Sequence, residues 1–353
     1  MNQKAGCTPL RKSIELCGRC NGATVYVKDE SKNPFGTFKD RRCAALLDLH
    51  AQKEELVFVQ ITSGNSGYSL GMMAKEWELK TGRKRSVVNI VPKSISKEVR
   101  KRLETCSLVC GMDLGEKIVT FENMVEIARK ASGYSGPDTN LVGVEDYRLE
   151  GGYREMVREI ADEGIRPGYI FCPVGEGELA VELAGACASV WGYDPPKVVG
   201  VTIKQNVILY KKNFLKNPGK SIADKLVNGY SKFKDLLMSL VKKGRVELMS
   251  ASEREIAAMY GYLNQLGIAA EPTAASAFCG AVKYDLKPDD VVVIINTGKG
   301  IFDQGSVDKR WAKRIANAAK YVVAFALGVA VAATAYRTFV TVTCPQTIEK
   351  ETK

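Results

Sequence analysis

Short, unbroken apolar runs alternate with stretches of helical periodicity along most of the chain. The segments "ATVYVKDE" (23–30), "ELVFVQIT" (55–62) and "RSVVNIVP" (85–92) predict strands, and so do "GYIFCPVG" (168–175), "PKVVGVTI" (196–203) and "DDVVVIINTG" (289–298). Between them, residues 38–53, 66–80 and 96–106 carry the spacing of helices. Strands that are β-branched throughout, with no apolar/polar alternation, are buried on both faces. Separated by helices, they predict an α/β protein with parallel sheets. In such sheets ligands sit beyond the carboxyl ends of the strands. Three strands end in loops of the right kind: "ITSGNSG", "PVGEGEL" and "NTGKG".

The last part of the chain breaks this pattern. "YVVAFALGVAVAATAY" (321–336) is free of charge until Arg337. As a helix it would reach roughly 24 Å, short of the roughly 20 residues of a membrane span. Continuing through "RTFVTVT" supplies the length but includes Arg337, which can snorkel. The preceding "DKRWAKRIANAAK" is basic, as a cytoplasmic flank would be. Two readings stand: membrane contact through an apolar helix at 321–343, as a tail anchor, and a C-terminal helix packed on the body or on a partner.

Composition narrows the chemistry. The 353 residues are 45% hydrophobic and 26% charged, ordinary for a globular protein with room for two domains and a large core. A net charge of +11 invites a nucleic-acid reading. The basic residues are mixed with acids along the chain, however, with no RNA-binding signature and no zinc-finger spacing, so no nucleic-acid partner is expected. The one histidine, His50, falls within the predicted helix 38–53 and has no motif around it, which argues against triad or histidine–metal chemistry. The ten cysteines and an opening "MNQKAGCTPL" without an apolar core predict reduced thiols in a cytoplasmic protein. The lone pair in "CGRC" (Cys17, Cys20) leaves a zinc or redox role open beside the simpler reading as free thiols; no metal site is expected.

Each glycine-containing loop is a modest signal alone. "TSGNSG" (62–67) and "PVGEGEL" (173–179) each place backbone N–H groups at a helix N-terminus, suited to a carboxylate or phosphate. A capped helix start explains the first almost as well. "NTGKG" (296–300) puts a threonine hydroxyl at a strand end, where a β-turn is the plain alternative. Lys39, in "NPFGTFKDRR" (33–42), is harder to explain as surface. It lies near a helix start, where the dipole opposes a cation. Its apolar neighbours with Arg41 and Arg42 are expected to lower its pKa and favour the neutral amine that Schiff-base chemistry requires.

Taken in order, "CTPL" (7–10), "KDESKNPFGTFKDR" (28–41), "TSGNSG", "VEDYRLEGGYREMVREIADE" (144–163), "PVGEGEL", "EPTAASA" (271–277) and "NTGKG" resemble fold-type II pyridoxal-phosphate enzymes. This is the tryptophan-synthase-β-like group that includes threonine synthase, cysteine synthase and threonine dehydratase. The resemblance spans about residues 5–305. It implies an α/β fold of two open, twisted, mainly parallel sheets flanked by helices, with a large cofactor-binding domain from 1–44 and 144–310, a small mobile domain at 45–143, and an extension at 311–353. It also implies pyridoxal 5′-phosphate as cofactor, an amino-acid substrate, a role in amino-acid biosynthesis and a homodimer.

Residue by residue, Lys39 matches the lysine of the internal aldimine, which afterwards shuttles protons. Asn65 matches the partner of the cofactor's 3′ oxygen. Ser63, Gly64, Ser66 and Gly67 match the loop that holds the substrate carboxylate. Gly175, Glu176, Gly177 and Glu178 match the phosphate cradle. Thr297 matches the hydroxyl partner of the pyridine nitrogen, which suits β-elimination and replacement over transamination. One departure stands out: the family cradle is rich in Gly, Asn, Thr or Ser, and here it reads Gly-Glu-Gly-Glu. An acid there repels a phosphate unless it points to solvent.

The lysine motif is closest to that of threonine synthase, a lyase converting O-phosphohomoserine and water to threonine and phosphate. "TSGNSG" leans toward cysteine synthase and replacement on an activated serine. The acidic cradle and apolar tail motivate a third reading, a non-catalytic binding protein on the same scaffold. Arg154, Lys204 and Lys299 are candidate cations for a substrate phosphate, with surface charge as their plainer explanation.

Overall fold

The computed structural model describes residues 5–93, 95–112, 121–144, 152–216 and 218–300. The predicted helix at 321–343 lies outside the described residues. Along the chain run β1 (Leu10–Lys12), α1 (Ile14–Arg19), β2 (Thr24–Asp29), α2 (Lys39–Leu49), β3 (Glu55–Ile61), α3 (Asn65–Thr81), β4 (Lys84–Pro92), α4 (Lys97–Glu104), β5 (Leu108–Met112) and α5 (Phe121–Ser132). Next come β6 (Leu141–Gly143), α6 (Glu155–Asp162), β7 (Tyr169–Pro173), α7 (Glu178–Trp191), β8 (Lys197–Thr202), α8 (Lys234–Lys242), β9 (Val246–Ser250), α9 (Glu253–Gln265), α10 (Pro272–Lys283) and β10 (Val291–Asn296).

The strands form two sheets, of order β1-β2-β10-β7-β8-β9 and β5-β4-β3-β6. Among the described residues, every pairing of these strands is parallel except that of β1 with β2. The α/β class with two mainly parallel sheets is therefore present. The first sheet draws its strands from residues 10–29 and 169–296 and the second from residues 55–143.

The unbroken apolar runs arise from burial on both faces. In β3, Leu56 and Phe58 pack with Leu46, Leu70 and Val87 on one side of the sheet. The alternate residues Val57 and Val59 pack with Val88, Ile90 and Met124 on the other. In the larger sheet, Ile170, Cys172, Val293 and Ile295 meet Leu179, Leu183 and Ala184 of α7. The opposite face is met by α10, which starts with Pro at N1 and is almost wholly buried through Ala274, Ala275, Ala277 and Phe278. Small residues let this helix lie close to the sheet, which brings its N-terminus, and Glu271 ahead of it, to the carboxyl ends of the strands.

Helix α2 stops at Leu49, four residues short of the predicted Lys53, and His50 is its C-cap. The Arg85 guanidinium explains the stop: it donates to the carbonyls of His50, Lys53 and Glu54, capturing backbone acceptors that a longer helix would have used.

Candidate active site

Four chain segments converge where strands end. Residues 33–38 leave β2 in a turn closed by Gly36 N–H donating to Asn33 O at 2.9 Å. This turn is fastened to the exit of β10: Phe38 N–H donates to Thr297 O at 2.9 Å, Lys299 N–H to Gly36 O at 3.0 Å, and Thr37 forms an antiparallel bridge with Gly298. Lys39 and Thr297, 258 residues apart in sequence, are thereby held on adjoining backbone. Glu271 joins the same corner by donating its N–H to Gly298 O at 2.8 Å. Its carboxylate accepts from Asn65 Nδ2 at 2.8 Å and pairs with Lys225 Nζ at 2.9 Å. Asn65 is the first residue of α3, so this contact ties the exit of β3 in one sheet to the exit of β10 in the other.

Lys39 begins α2 and is 24% exposed at its side chain. Its Nζ lies 3.5 Å from Glu178 Oε2, 4.9 Å from the centre of the Phe38 ring and 5.3 Å from that of Tyr153. The expected lowering of its pKa does not occur. Burial does act to lower it, and Arg42 adds to that, but Tyr153 and Glu178 outweigh both and hold the ammonium above the ordinary lysine value. Burial raises the Tyr153 phenol itself, so at neutral pH the charge partner is Glu178. Arg41, expected to act on Lys39, is turned away into ion pairs with Glu30 at 2.7 Å and Glu159 at 2.6 Å.

The Gly-Glu-Gly-Glu loop links β7 to α7. Gly177 caps α7 with φ +98°, a left-handed conformation that a side chain would strain. The fully buried Asn206 amide donates to the carbonyls of Val174 (3.1 Å), Gly175 (2.7 Å) and Leu226 (3.0 Å), and Ser231 Oγ donates to Glu176 O at 2.5 Å. The two acids part company. Glu176 is exposed, whereas Glu178 turns inward, with its side chain 12% exposed, and meets Arg42 at 3.3 Å as well as Lys39. Burial acts to raise the Glu178 carboxyl, but Lys39, Arg42 and Lys232 prevail and hold it below the usual range.

In "TSGNSG", Thr62 Oγ1 accepts the N–H groups of Gly64 at 3.1 Å and Gly67 at 3.2 Å, while Ser66 Oγ donates to Gln60 at 2.7 Å. Ser63 is exposed beside them. Two buried oxygens in this region, Asn65 Oδ1 and Thr297 Oγ1, have no hydrogen-bond partner among the described residues. Of the cations considered for a substrate phosphate, Arg154 is committed to Glu182 at 2.6 Å, and Lys204 and Lys299 are exposed.

Sequence reasoning did not assign roles here to Tyr153, Lys225 or Asn206, and it placed Arg42 beside Lys39 without its pairing to Glu178. Glu271 and Tyr153 carried a signal, since they lie in the motifs "EPTAASA" and "VEDYRLEGGYREMVREIADE"; Asn206 carried none, because it meets the site through distant packing. A separate groove of about 440 Å³ opens between α8, β9 and the turn at 207–209, lined by Met238, Val241 and Leu248. Its charged rim residues Lys197 and Glu247 pair with each other at 3.7 Å, and it holds none of the groups just described.

The family profile "Pyridoxal-phosphate dependent enzyme" matches residues 1–298. The chain is 24% identical to a threonine synthase of Bacillus sp. (strain ULM1) over 310 residues, 84% of each chain. It is 36% identical to cysteine synthase B of Salmonella typhimurium, over only 78 residues, 21% of this chain and 25% of the other. A fungal L-serine ammonia-lyase from Rhizomucor miehei superposes with a TM-score of 0.67 at 19% identity, covering 88% of this chain and 99% of that one.

Proposed function

The chain belongs to the pyridoxal-phosphate-dependent enzyme family, of fold type II, and from that premise we propose that it is a lyase of the threonine-synthase type. Its reaction would take O-phosphohomoserine and water to threonine and phosphate. The observation that carries the choice of reaction is extent: likeness to threonine synthase runs along 84% of both chains, likeness to cysteine synthase B along one quarter of that enzyme.

Pyridoxal 5′-phosphate is the cofactor of this family, and the ring end of the site fits it. Thr297 Oγ1 and Asn65 Oδ1 are buried oxygens without a partner among the described residues. Such atoms are costly unless something bound completes them. A pyridine nitrogen would accept from the first and a ring hydroxyl would donate to the second. Lys39 would hold the cofactor's carbonyl carbon, and the N–H groups of residues 175–178 would face its phosphate. When bound, the cofactor supplies the electron sink for chemistry at the substrate's Cα and Cβ.

The chain's own residues would do the rest. The start of α3 at Ser63–Gly67 would receive the substrate carboxylate, with Thr62 fixing the loop through the amides of Gly64 and Gly67. Lys39 Nζ, once relieved of Glu178, would take up the protons that leave Cα and Cβ and return protons at Cγ and Cα, as phosphate departs from Cγ and water adds at Cβ. Glu271, itself fixed by Lys225, would orient Asn65 toward the ring. The lobe built on the second sheet would move toward the first as substrate binds, in a homodimer in the cytoplasm.

The test is phosphate release from O-phosphohomoserine by purified, cofactor-loaded protein, run beside sulfide incorporation with O-acetylserine. Phosphate release that is abolished in Lys39→Ala supports the proposal. Activity only with O-acetylserine and sulfide refutes the threonine-synthase reading in favour of replacement on an activated serine. Absence of both activities, with no cofactor retained, leaves the non-catalytic scaffold.

A further inference from the structure

The phosphate end of the site is where this chain departs from a plain glycine loop, and the departure is structured. Glu178 is the first residue of a 14-residue helix, so its backbone already sits where the helix dipole favours an anion. Its side chain turns inward from that start. There it meets Lys39 at 3.5 Å and Arg42 at 3.3 Å, with Lys232 as a third positive charge close by. Arg42 is itself fixed, donating to Val144 O at 2.5 Å. Two cations meet one carboxylate at the start of a helix, and Lys232 adds to the positive field there. That surplus of positive charge matches a phosphate carrying close to two negative charges better than it matches one carboxylate. The two anions could not share the place without repulsion.

We propose that Glu178 is an internal stand-in for the cofactor's phosphate: its carboxylate occupies the cradle and holds Lys39 and Arg42 in place while the phosphate is absent, and it yields that place when the phosphate enters. The proposal rests on the reading of Lys39 as the cofactor-binding lysine. It explains why an acid stands in a loop that has to receive a dianion. It also explains why Glu176, two residues earlier, is free to face solvent: only one of the two acids has cations waiting for it. Arg42 then changes partner, from the Glu178 carboxylate to the phosphate. Glu178 thus sets how much of the binding preference for a phosphorylated cofactor survives, because phosphate must displace an ion pair that an unphosphorylated ring leaves alone.

The experiment measures that preference without any reaction at Lys39. Pyridoxine 5′-phosphate and pyridoxine, which lack the aldehyde, are titrated calorimetrically into the full-length chain stripped of cofactor, and the ratio of their Kd values is taken. Glu178→Gln should raise the preference for the phosphate form on the order of tenfold, and Arg42→Gln should lower it by a similar factor. Glu178→Ser should behave as Glu178→Gln, and pyridoxine binding serves in each variant as the check on folding. Equal preference in wild type and Glu178→Gln, with pyridoxal phosphate still bound, overturns this inference alone. A lower preference in Glu178→Gln overturns it too, since the carboxylate would then be helping the phosphate. Failure of every variant and of wild type to bind either pyridoxal phosphate or its analogue overturns both this inference and the proposed function.

Discussion

Replacing Glu159 by glutamine should destabilise the protein by about 3 kcal/mol at neutral pH. Glu159 lies on α6, yet its carboxylate gathers three other segments. Oε1 accepts from Arg41 NH1 at 2.6 Å and from Cys7 N–H at 2.9 Å, and Oε2 from Arg41 NH2 at 2.8 Å and Lys28 Nζ at 2.5 Å. Burial acts to raise its pKa, but Arg41 and Lys28 prevail and bring it from 4.5 to about 2. That fall corresponds to about 3 kcal/mol of folding free energy. The side chain is 19% exposed, so solvent screening removes little of it. A depressed carboxyl stabilises above its unfolded value and loses that contribution as pH falls, here between 4.5 and about 2. Glutamine keeps the shape without the charge, leaving Arg41 with Glu30 as its acid and Lys28 with the Thr8 carbonyl. Urea unfolding of wild type and Glu159→Gln at pH 7 and pH 3 measures the difference, given unchanged m-values. At pH 3 it should shrink to less than half. A loss below about 1 kcal/mol at pH 7, or one as large at pH 3 as at pH 7, would refute the reasoning.

Asp40 titrates in the opposite sense. Its buried carboxyl accepts from Phe35 N–H at 2.6 Å and from the Ser69 hydroxyl, and burial pushes it up from 3.8 to about 7. Between those values the folded state keeps a proton that the unfolded chain has released, so stability should fall with rising pH by up to about 4 kcal/mol, and Asp40→Asn should flatten that descent; parallel pH profiles for the two proteins count against it. Gly298→Ala should lower the stability by at least about 2 kcal/mol in thermal unfolding, because at φ +147° its Cβ would lie 2.5 Å from Gly36 O and 2.9 Å from Thr37 Cα. An unchanged melting temperature would mean that the 36–38 turn can part from residue 298 freely. Thr297→Val should leave the cofactor-free protein as stable as wild type or slightly more so, since the hydroxyl it removes has no partner among the described residues, while weakening pyridoxal-phosphate binding about two- to tenfold. A destabilised cofactor-free variant would show that Thr297 serves the fold instead.

The parallel sheets were legible because β3, β4, β7, β8 and β10 are runs of Val, Ile and Phe that only burial on both faces accounts for. The loops were legible because a ligand site at the ends of parallel strands must be built from the residues directly after each strand, and those are local in sequence. The features that were not legible depend on partners far along the chain. β1 is three residues long, two of them exposed, and is defined only by its antiparallel pairing with β2. β9, as "VELMS", is an edge strand with one fully buried residue, too weak a pattern to announce itself. The charge on Lys39 was misjudged for the same reason. Its sequence neighbours Arg41 and Arg42 argued for a neutral amine, whereas the group that decides the matter, Glu178, arrives from 139 residues away and Arg41 is drawn off by Glu30 and Glu159.

The position of β10 has a consequence for how the chain is made. The last described strand to be synthesised lies between β2, among the first, and β7. Until residues 291–296 exist, β2 and β7 each present an open parallel edge, and Lys39 stands at the start of a helix whose neighbouring backbone, Thr297–Lys299, has not yet been assembled. The larger sheet therefore cannot grow strand by strand from the N-terminus. It must close in one late insertion, with a loop-closure entropy set by most of the chain's length, which predicts slow folding and a long-lived, adhesive intermediate during synthesis. Any truncation that removes β10 should leave the whole first sheet unable to close, rather than merely shortening it by one strand.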